Sequence, residues 1–185
     1  YAGPISLHSI DLDDGTSNWD IEVNSFDVGT PTVQGDTIYL PNSDADLMAF
    51  GANLGTKKWE FNTPDDNFGS PAVTDEYVVS PLGEGVFCLS QDMGINWEFQ
   101  VEEDWAPVGG VAVVRDKVYF GARDGNFYVL DLHTGEELNR FETDSEIVGS
   151  PAIAYNKVYF GTEDGTVYAL TDQPNKRPDP DFSYS

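Results

Sequence analysis

The hydrophobic positions of this chain fall into columns that recur at an interval of forty residues. Each unit opens on a run of small and apolar residues, continues through an apolar-aromatic stretch and a turn into a second apolar stretch, and closes on an alternating segment. The opening runs begin at Gly29, Gly69, Gly109 and Gly149. Strand-sized stretches at a fixed interval predict a repeat architecture of four short strands per unit, here called A to D, without helices.

The D strands alternate between large apolar and polar residues, which is typical of a half-buried outer strand. Tryptophan opens the alternation in three units, at Trp19, Trp59 and Trp97, and Asn139 stands in that place in the last complete unit. Between strands B and C, Asp124-Gly125 and Asp164-Gly165 predict hairpin turns of type I′. Four antiparallel strands per unit at this interval predict an all-β fold, a β-propeller with four visible blades.

The ends of the chain leave two ways to complete the ring. An incomplete unit at residues 1–25 supplies strands C and D, and the unit that begins at Gly149 supplies only A, B and C. The strand at Trp19–Val23 could complete the last sheet and close a four-blade ring. Otherwise the chain is a segment of a larger propeller. The repeats occupy residues 1–170, and the proline-rich residues 171–185 are expected to be an extended or disordered tail.

Charge changes the picture more than any other feature of composition. The chain has 33 acidic residues against 9 lysines and arginines, a formal net charge of −24. Such a surface repels phosphate backbones, so nucleic-acid binding is not expected. Because the acid is spread along the whole chain, adaptation to high salt is favoured over a local acidic face that recruits cations or a basic partner. No apolar stretch is long enough to predict a transmembrane segment. The missing start methionine predicts a chain trimmed or cut from a longer precursor.

The loops from strand D to the next strand A carry the candidate binding residues. All four loops precede inner strands, so they should gather at one mouth of the central channel. Each carries acid and three carry an aromatic residue, which suits a cation or a basic segment of a protein partner. The alternative is that acidic loops only reflect an acidic protein and that the aromatics cap the core. The candidates are Asp65, Asp66, Phe68, Glu102, Glu103, Asp104, Trp105, Asp144 and Glu146.

Two stretches resemble the PQQ-type (pyrroloquinoline-quinone-like) β-propeller repeat family. The family pattern of Gly-Ser-Pro-Ala, Val-Tyr-x-Gly and Asp-Gly-x-Tyr-Ala-Leu is matched across Gly149–Leu170, and its later part across Val118–Gly135. The resemblance implies a propeller that usually has seven or eight blades, with the tryptophans packed between neighbouring blades. It also implies that Asn139 weakens one such contact.

Family members include quinoprotein dehydrogenases, which use PQQ and Ca²⁺, and envelope assembly scaffolds. The dehydrogenases often carry adjacent cysteines, whereas Cys88 is the single cysteine here and lies in an apolar stretch. No Asp or Glu matches the catalytic position by a local motif, and His8 and His133 suggest no metal pair. We therefore predict no cofactor, with PQQ or Ca²⁺ as the alternative, and a function that is not enzymatic.

The sequence predicts a non-enzymatic protein-binding or assembly scaffold, extracellular or in the cell envelope of a salt-adapted organism. Its partner would be a protein, or a second copy through open blade edges. The alternatives are a portion of a quinoprotein (PQQ-dependent) dehydrogenase and a structural subunit of a surface assembly. The localisation follows from the family resemblance.

Overall fold

The computed structural model describes residues 5–23, 27–43, 46–64, 69–101, 107 and 109–171, and every element in these ranges is a β-strand. The strands are β1 (Ile5–Ile10), β2 (Ser17–Val23), β3 (Thr32–Gln34), β4 (Thr37–Asn42), β5 (Asp46–Gly51), β6 (Lys57–Phe61), β7 (Ala72–Val73), β8 (Tyr77–Leu82), β9 (Gly85–Ser90), β10 (Ile95–Gln100), β11 (Ala112–Val114), β12 (Lys117–Gly121), β13 (Asn126–Asp131), β14 (Glu137–Glu142), β15 (Ala152–Ala154), β16 (Lys157–Gly161) and β17 (Val167–Thr171).

The strands form five antiparallel sheets in chain order. We call them the N-terminal hairpin (β1–β2), blade 1 (β3–β6), blade 2 (β7–β10), blade 3 (β11–β14) and blade 4 (β15–β17). Blades 1 to 3 have the four strands that the repeat predicts, and blade 4 has strands A, B and C. The predicted all-β architecture of four-stranded antiparallel blades is confirmed. The last strand extends through Thr171, one residue beyond the boundary predicted for the repeats.

The described sheets do not close into a ring. Strand β2 pairs with β1 and does not complete blade 4, so the structure does not contain the closed four-blade arrangement. Among the described strands, β17 pairs only with β16. The arrangement is that of a segment of a larger propeller.

The inner strands approach one another closely enough that side chains are excluded at some positions. A Cβ added to Gly109 would lie 2.8 Å from the carbonyl oxygen of Gly149, and one added to Gly69 would overlap the carbonyl oxygen of Gly109. The hydroxyl of Ser150 accepts a hydrogen bond from the backbone N–H of Gly110 at 2.8 Å. This crowding explains why strand A opens on small residues.

The tryptophans of strand D tie each sheet to the next one. The indole N–H donates to a backbone carbonyl at the start of the neighbouring C–D turn: Trp19 to Ala52 at 3.0 Å, Trp59 to Gln91 at 3.0 Å and Trp97 to Leu132 at 2.7 Å. The rings of Trp19 and Trp97 also lie against the turn glycines, at the places where a Cβ on Gly55 or Gly135 would sit. Each indole thus combines apolar burial with a satisfied donor.

The B–C hairpins differ from the predicted type I′ turns. Gly125 and Gly165 have φ values of +80° and +88°, but neither Asp124 nor Asp164 has the positive φ that type I′ requires of both central residues. Gly125 N–H donates to Ala122 O at 3.2 Å, and Ala122 N–H donates to Asn126 O at 3.1 Å. The loop therefore has three residues, with glycine in the left-handed position that follows a tight turn.

The glycines where neighbouring inner strands meet provide a test of this packing. We expect Gly69→Ala to lower the free energy of unfolding by about 1–3 kcal/mol, because the new methyl overlaps backbone that cannot move away. The matched control is Gly149→Ala, where nothing lies within 4 Å of the added Cβ. Urea denaturation of both variants measures the difference. Equal stability of the two variants would contradict the close approach of the inner strands.

Candidate functional site

The loops that lead into the inner strands form the candidate site predicted from the sequence. Of its nine residues, Asp144 and Glu146 lie within the described part of the chain. The other seven, Asp65, Asp66, Phe68, Glu102, Glu103, Asp104 and Trp105, lie outside the described residues. Antiparallel blades place the D–A loops and the B–C hairpins at one end of the sheets, and the A–B and C–D turns at the opposite end.

The D–A loop of blade 3 is anchored to the B–C hairpins of blades 3 and 4. From blade 4, the backbone N–H of Glu163 donates to the carbonyl oxygen of Glu146 at 2.9 Å. The Thr143 hydroxyl donates to the carbonyl oxygens of Gly125 and Ser145, at 2.8 and 2.7 Å. The backbone N–H of Ile147 donates to Ala122 O at 3.1 Å, and the Ile147 side chain is fully buried. The loop therefore uses its apolar residue to cover the core and presents its acids outward.

The two described acids differ in their surroundings. Asp144 is exposed to solvent. The Glu146 carboxylate lies 3.9 Å from the Arg123 guanidinium, and both side chains are roughly half exposed. An ion pair this long and this exposed contributes little to stability, so Glu146 stays available to a competing cation. The arrangement presents negative charge on a loop that is held by backbone hydrogen bonds.

A second polar cluster lies at the same end of the sheets and was not recognised in the sequence. Tyr128 donates its hydroxyl to the Asp124 carboxylate, and the Arg140 guanidinium lies 5.1 Å from the centre of the Tyr128 ring. Burial, followed by the hydrogen bond and charge of Asp124, raises the pKa of Tyr128 well above its usual value. The cluster borders a cavity of about 340 Å³ that also touches Phe99 and Gln100 of blade 2.

The cluster escaped sequence reasoning because each of its members has an ordinary local explanation. Asp124 was predicted to be a turn former, and its carboxylate does accept the backbone N–H of Asn126 at 2.9 Å. Only the pleat of β13 brings Tyr128 over the same carboxylate. An aspartate and a tyrosine four residues apart across a hairpin are the signal that could have indicated it.

The remaining candidates for chemistry have structural roles. Cys88 is fully buried in blade 2, and desolvation raises the pKa of its thiol to about 12, which suits a small core residue and not a nucleophile. His133 lies in a turn and contacts the Asp116 carboxylate at 3.3 Å. Within the ranges that the structure describes, no group of three or more His, Cys, Asp or Glu side chains is placed to hold a metal ion.

The repeats of this chain match a known protein family. The family model described as outer membrane protein assembly factor BamB matches the chain twice, over residues 2–103 and 84–175. The chain belongs to this family of PQQ-like propeller repeats. The two matches together span all the described sheets, and they confirm the family resemblance that the repeat motifs indicated.

Solved structures of BamB-family and related propellers share the fold. BamB from Moraxella catarrhalis aligns over 90% of this chain and 55% of its own, with 19% identity and a TM-score of 0.73. The computationally designed protein Ika8 aligns over 89% of this chain and 52% of its own, with 20% identity and a TM-score of 0.74. The chain therefore spans about half the length of these two structures.

A third similar structure is an enzyme. The quinohemoprotein alcohol dehydrogenase ADHIIG from Pseudomonas putida HK5 aligns over 60% of this chain and 20% of its own, with 25% identity and a TM-score of 0.54. No curated protein matches the chain. In the part of the chain that the structure describes, no helix has the length and apolar character needed to span a membrane.

Proposed function

We propose that this BamB-family chain is a non-enzymatic protein-binding scaffold of the cell envelope, and that a protein partner binds at the end of the propeller formed by the D–A loops. The observation that carries the proposal is the match of the BamB family model to both halves of the chain. That family is named for assembly of outer membrane proteins, and the proposal extends this role to the present chain.

The local chemistry of the D–A end supports a partner that carries positive charge. Asp144 and Glu146 face outward from a loop whose backbone is held by neighbouring hairpins, so little conformational entropy is lost when a partner binds. Acidic residues also populate the other D–A loops in the sequence. A basic segment with exposed aromatic residues is the complementary surface.

Site-specific photo-crosslinking tests this proposal. A photoreactive amino acid at position 144 should crosslink one protein partner in cells of the source organism, and the same amino acid at Asp13 or Asp116, in turns at the opposite end, should not. Combining the photoreactive residue at 144 with Glu146→Gln should lower the yield, and so should added salt, because the contact is electrostatic.

Two outcomes of the crosslinking experiment would contradict the proposal. Equal crosslinking from position 144 and from the opposite-end controls would remove the D–A end as the docking surface. A yield that is indifferent both to Glu146→Gln and to salt would remove the charge complementarity.

We also propose that the net charge of −24 reflects adaptation to high salt. Unscreened repulsion among carboxylates destabilises the compact state, and the Debye length falls from about 10 Å at 0.1 M salt to about 3 Å at 1 M. The midpoint of thermal unfolding should therefore rise as KCl is increased across this range. Sucrose is the uncharged control for general effects on hydration, and full stability at low KCl would contradict the proposal.

Two other functions have a specific observation in their favour. The similarity to ADHIIG supports a second candidate, in which the chain is a portion of a quinoprotein dehydrogenase. Reduction of a dye by alcohols in the presence of added PQQ and Ca²⁺ would favour this candidate. The outer edge of β17, which faces no other described strand, could pair with another copy in a structural subunit of a surface assembly.

A further inference from the structure

Blades 3 and 4 meet without the tryptophan that joins the preceding blades. In β14, Asn139 lies opposite Val129, just as Trp59 lies opposite Ala49 and Trp97 lies opposite Cys88 in the earlier blades. The strands share the same register, so Asn139 occupies the position of the indole. Its side chain is exposed, whereas that of Trp97 is buried.

The space next to Asn139 is a cleft of about 790 Å³ between the two blades, which we call the Asn139 cleft. This volume is within the range of sites that bind small molecules. Each wall has an apolar part: blade 3 contributes Tyr119, Phe127 and Val129, and blade 4 contributes Ile153, Val158 and Leu170. The cleft therefore offers apolar surface from both blades to a bound ring.

Large apolar side chains on the rim of the Asn139 cleft are unusually exposed. Leu138 is 49% exposed, and Tyr155 is 94% exposed in a turn where both it and Asn156 have positive φ. Tyr155 and Asn156 form the two-residue A–B turn of blade 4. Exposed apolar residues that converge on one cleft indicate a ligand surface more strongly than single exposed residues elsewhere.

The Asn139 cleft also collects positive charge on a strongly acidic protein. Four of the nine lysines and arginines in the chain line it, namely Arg115, Lys117, Arg140 and Lys157, and of these the Arg140 guanidinium lies over the Tyr128 ring, towards blade 2. The acids that line it, Asp116 and Asp131, are engaged locally: Asp116 with His133 at 3.3 Å, and Asp131 with the backbone N–H of Thr134 at 2.9 Å.

Two of the four basic side chains remain available for a ligand. Arg140 is held by Glu137, with nitrogen–oxygen distances of 2.8 and 2.7 Å. In the described part of the chain, Arg115 and Lys157 have no ion-pair partner. They lie on opposite sides of the cleft, one in the A–B turn of blade 3 and the other at the start of β16.

We propose that the Asn139 cleft binds a small planar aromatic carboxylate. The aromatic ring fills the space of the missing indole between the apolar walls, and the carboxylate pairs with Arg115 and Lys157. The cleft opens among A–B turns, at the end of the blades opposite the D–A loops. The site therefore goes beyond the proposed scaffold function and does not depend on it.

Indole-3-acetate is the probe, because it joins an indole ring to a carboxylate. Titration of the ¹⁵N-labelled chain, followed by NMR, should shift the amides of Leu138, Tyr155 and Lys157 and leave those of blade 1 unchanged. We expect a dissociation constant of about 1 mM or tighter for a ligand of this size. Neutral 3-methylindole should bind more weakly, and the cation tryptamine more weakly still.

Filling the cleft from within the chain is the sharpest variant. Asn139→Trp should abolish binding of indole-3-acetate and raise the thermal midpoint of unfolding, because it restores the indole found at the other interfaces. Asn139→Ala is the matched control and should bind the probe as the natural chain does. The double variant Arg115→Gln, Lys157→Gln should lower the affinity for indole-3-acetate by about three- to tenfold and leave the affinity for 3-methylindole unchanged.

Three results would overturn the proposal. One is the absence of amide shifts at the cleft up to the solubility of indole-3-acetate. Another is unchanged binding to Asn139→Trp when that variant gives the spectrum of a folded chain. The third is tryptamine binding as tightly as indole-3-acetate, which would contradict recognition of an anion. If Asn139→Trp does not fold, the charge variants decide the question through the ratio of indole-3-acetate to 3-methylindole affinity.

Discussion

The indole that reaches from one blade to the next is the interaction on which the rest of the structure depends. A blade of four short strands buries its faces only against its neighbours, so its stability is set at the interfaces. In three successive interfaces a tryptophan fills this space and donates its N–H to a carbonyl of the adjacent sheet. Beneath the Trp19 and Trp97 rings the turn residues are Gly55 and Gly135, where a Cβ would overlap the indole.

The last described sheet, which has a described neighbour on one face only, is packed less tightly than the inner ones. Strands β8 and β9 of blade 2 are almost entirely buried, whereas β15 and β17 of blade 4 alternate between half-buried and exposed positions. Stacked aromatic rings still connect the two blades: the Phe127 and Phe160 centroids lie 4.1 Å apart. The interface at Asn139 thus keeps its inner aromatic contact, lacks the tryptophan of the other interfaces, and borders the cleft for which we propose a ligand.

The sequence predicted the elements well and the sites only in part. Strand positions followed from a forty-residue period because the hydrophobic columns report directly on burial. The prediction of a type I′ turn at Asp124-Gly125 was wrong. Asp-Gly also suits a three-residue loop, in which only Gly125 takes a positive φ. The replacement at Asn139 was visible as a weakened contact. The basic residues of the Asn139 cleft could not be predicted from the sequence, because Arg115 and Lys157 come together only when blades 3 and 4 pack.

Amide hydrogen exchange under native conditions tests the central role of the indole contacts most directly. We expect β16 and β17, which have a described neighbour on one face only, to exchange through a local opening of lower free energy than β8 and β9, which lie between two tryptophan-filled interfaces. Asn139→Trp should raise the protection of β16 and β17 and leave that of β8 and β9 unchanged. Equal protection of the two hairpins in the natural chain, with no response to Asn139→Trp, would contradict it.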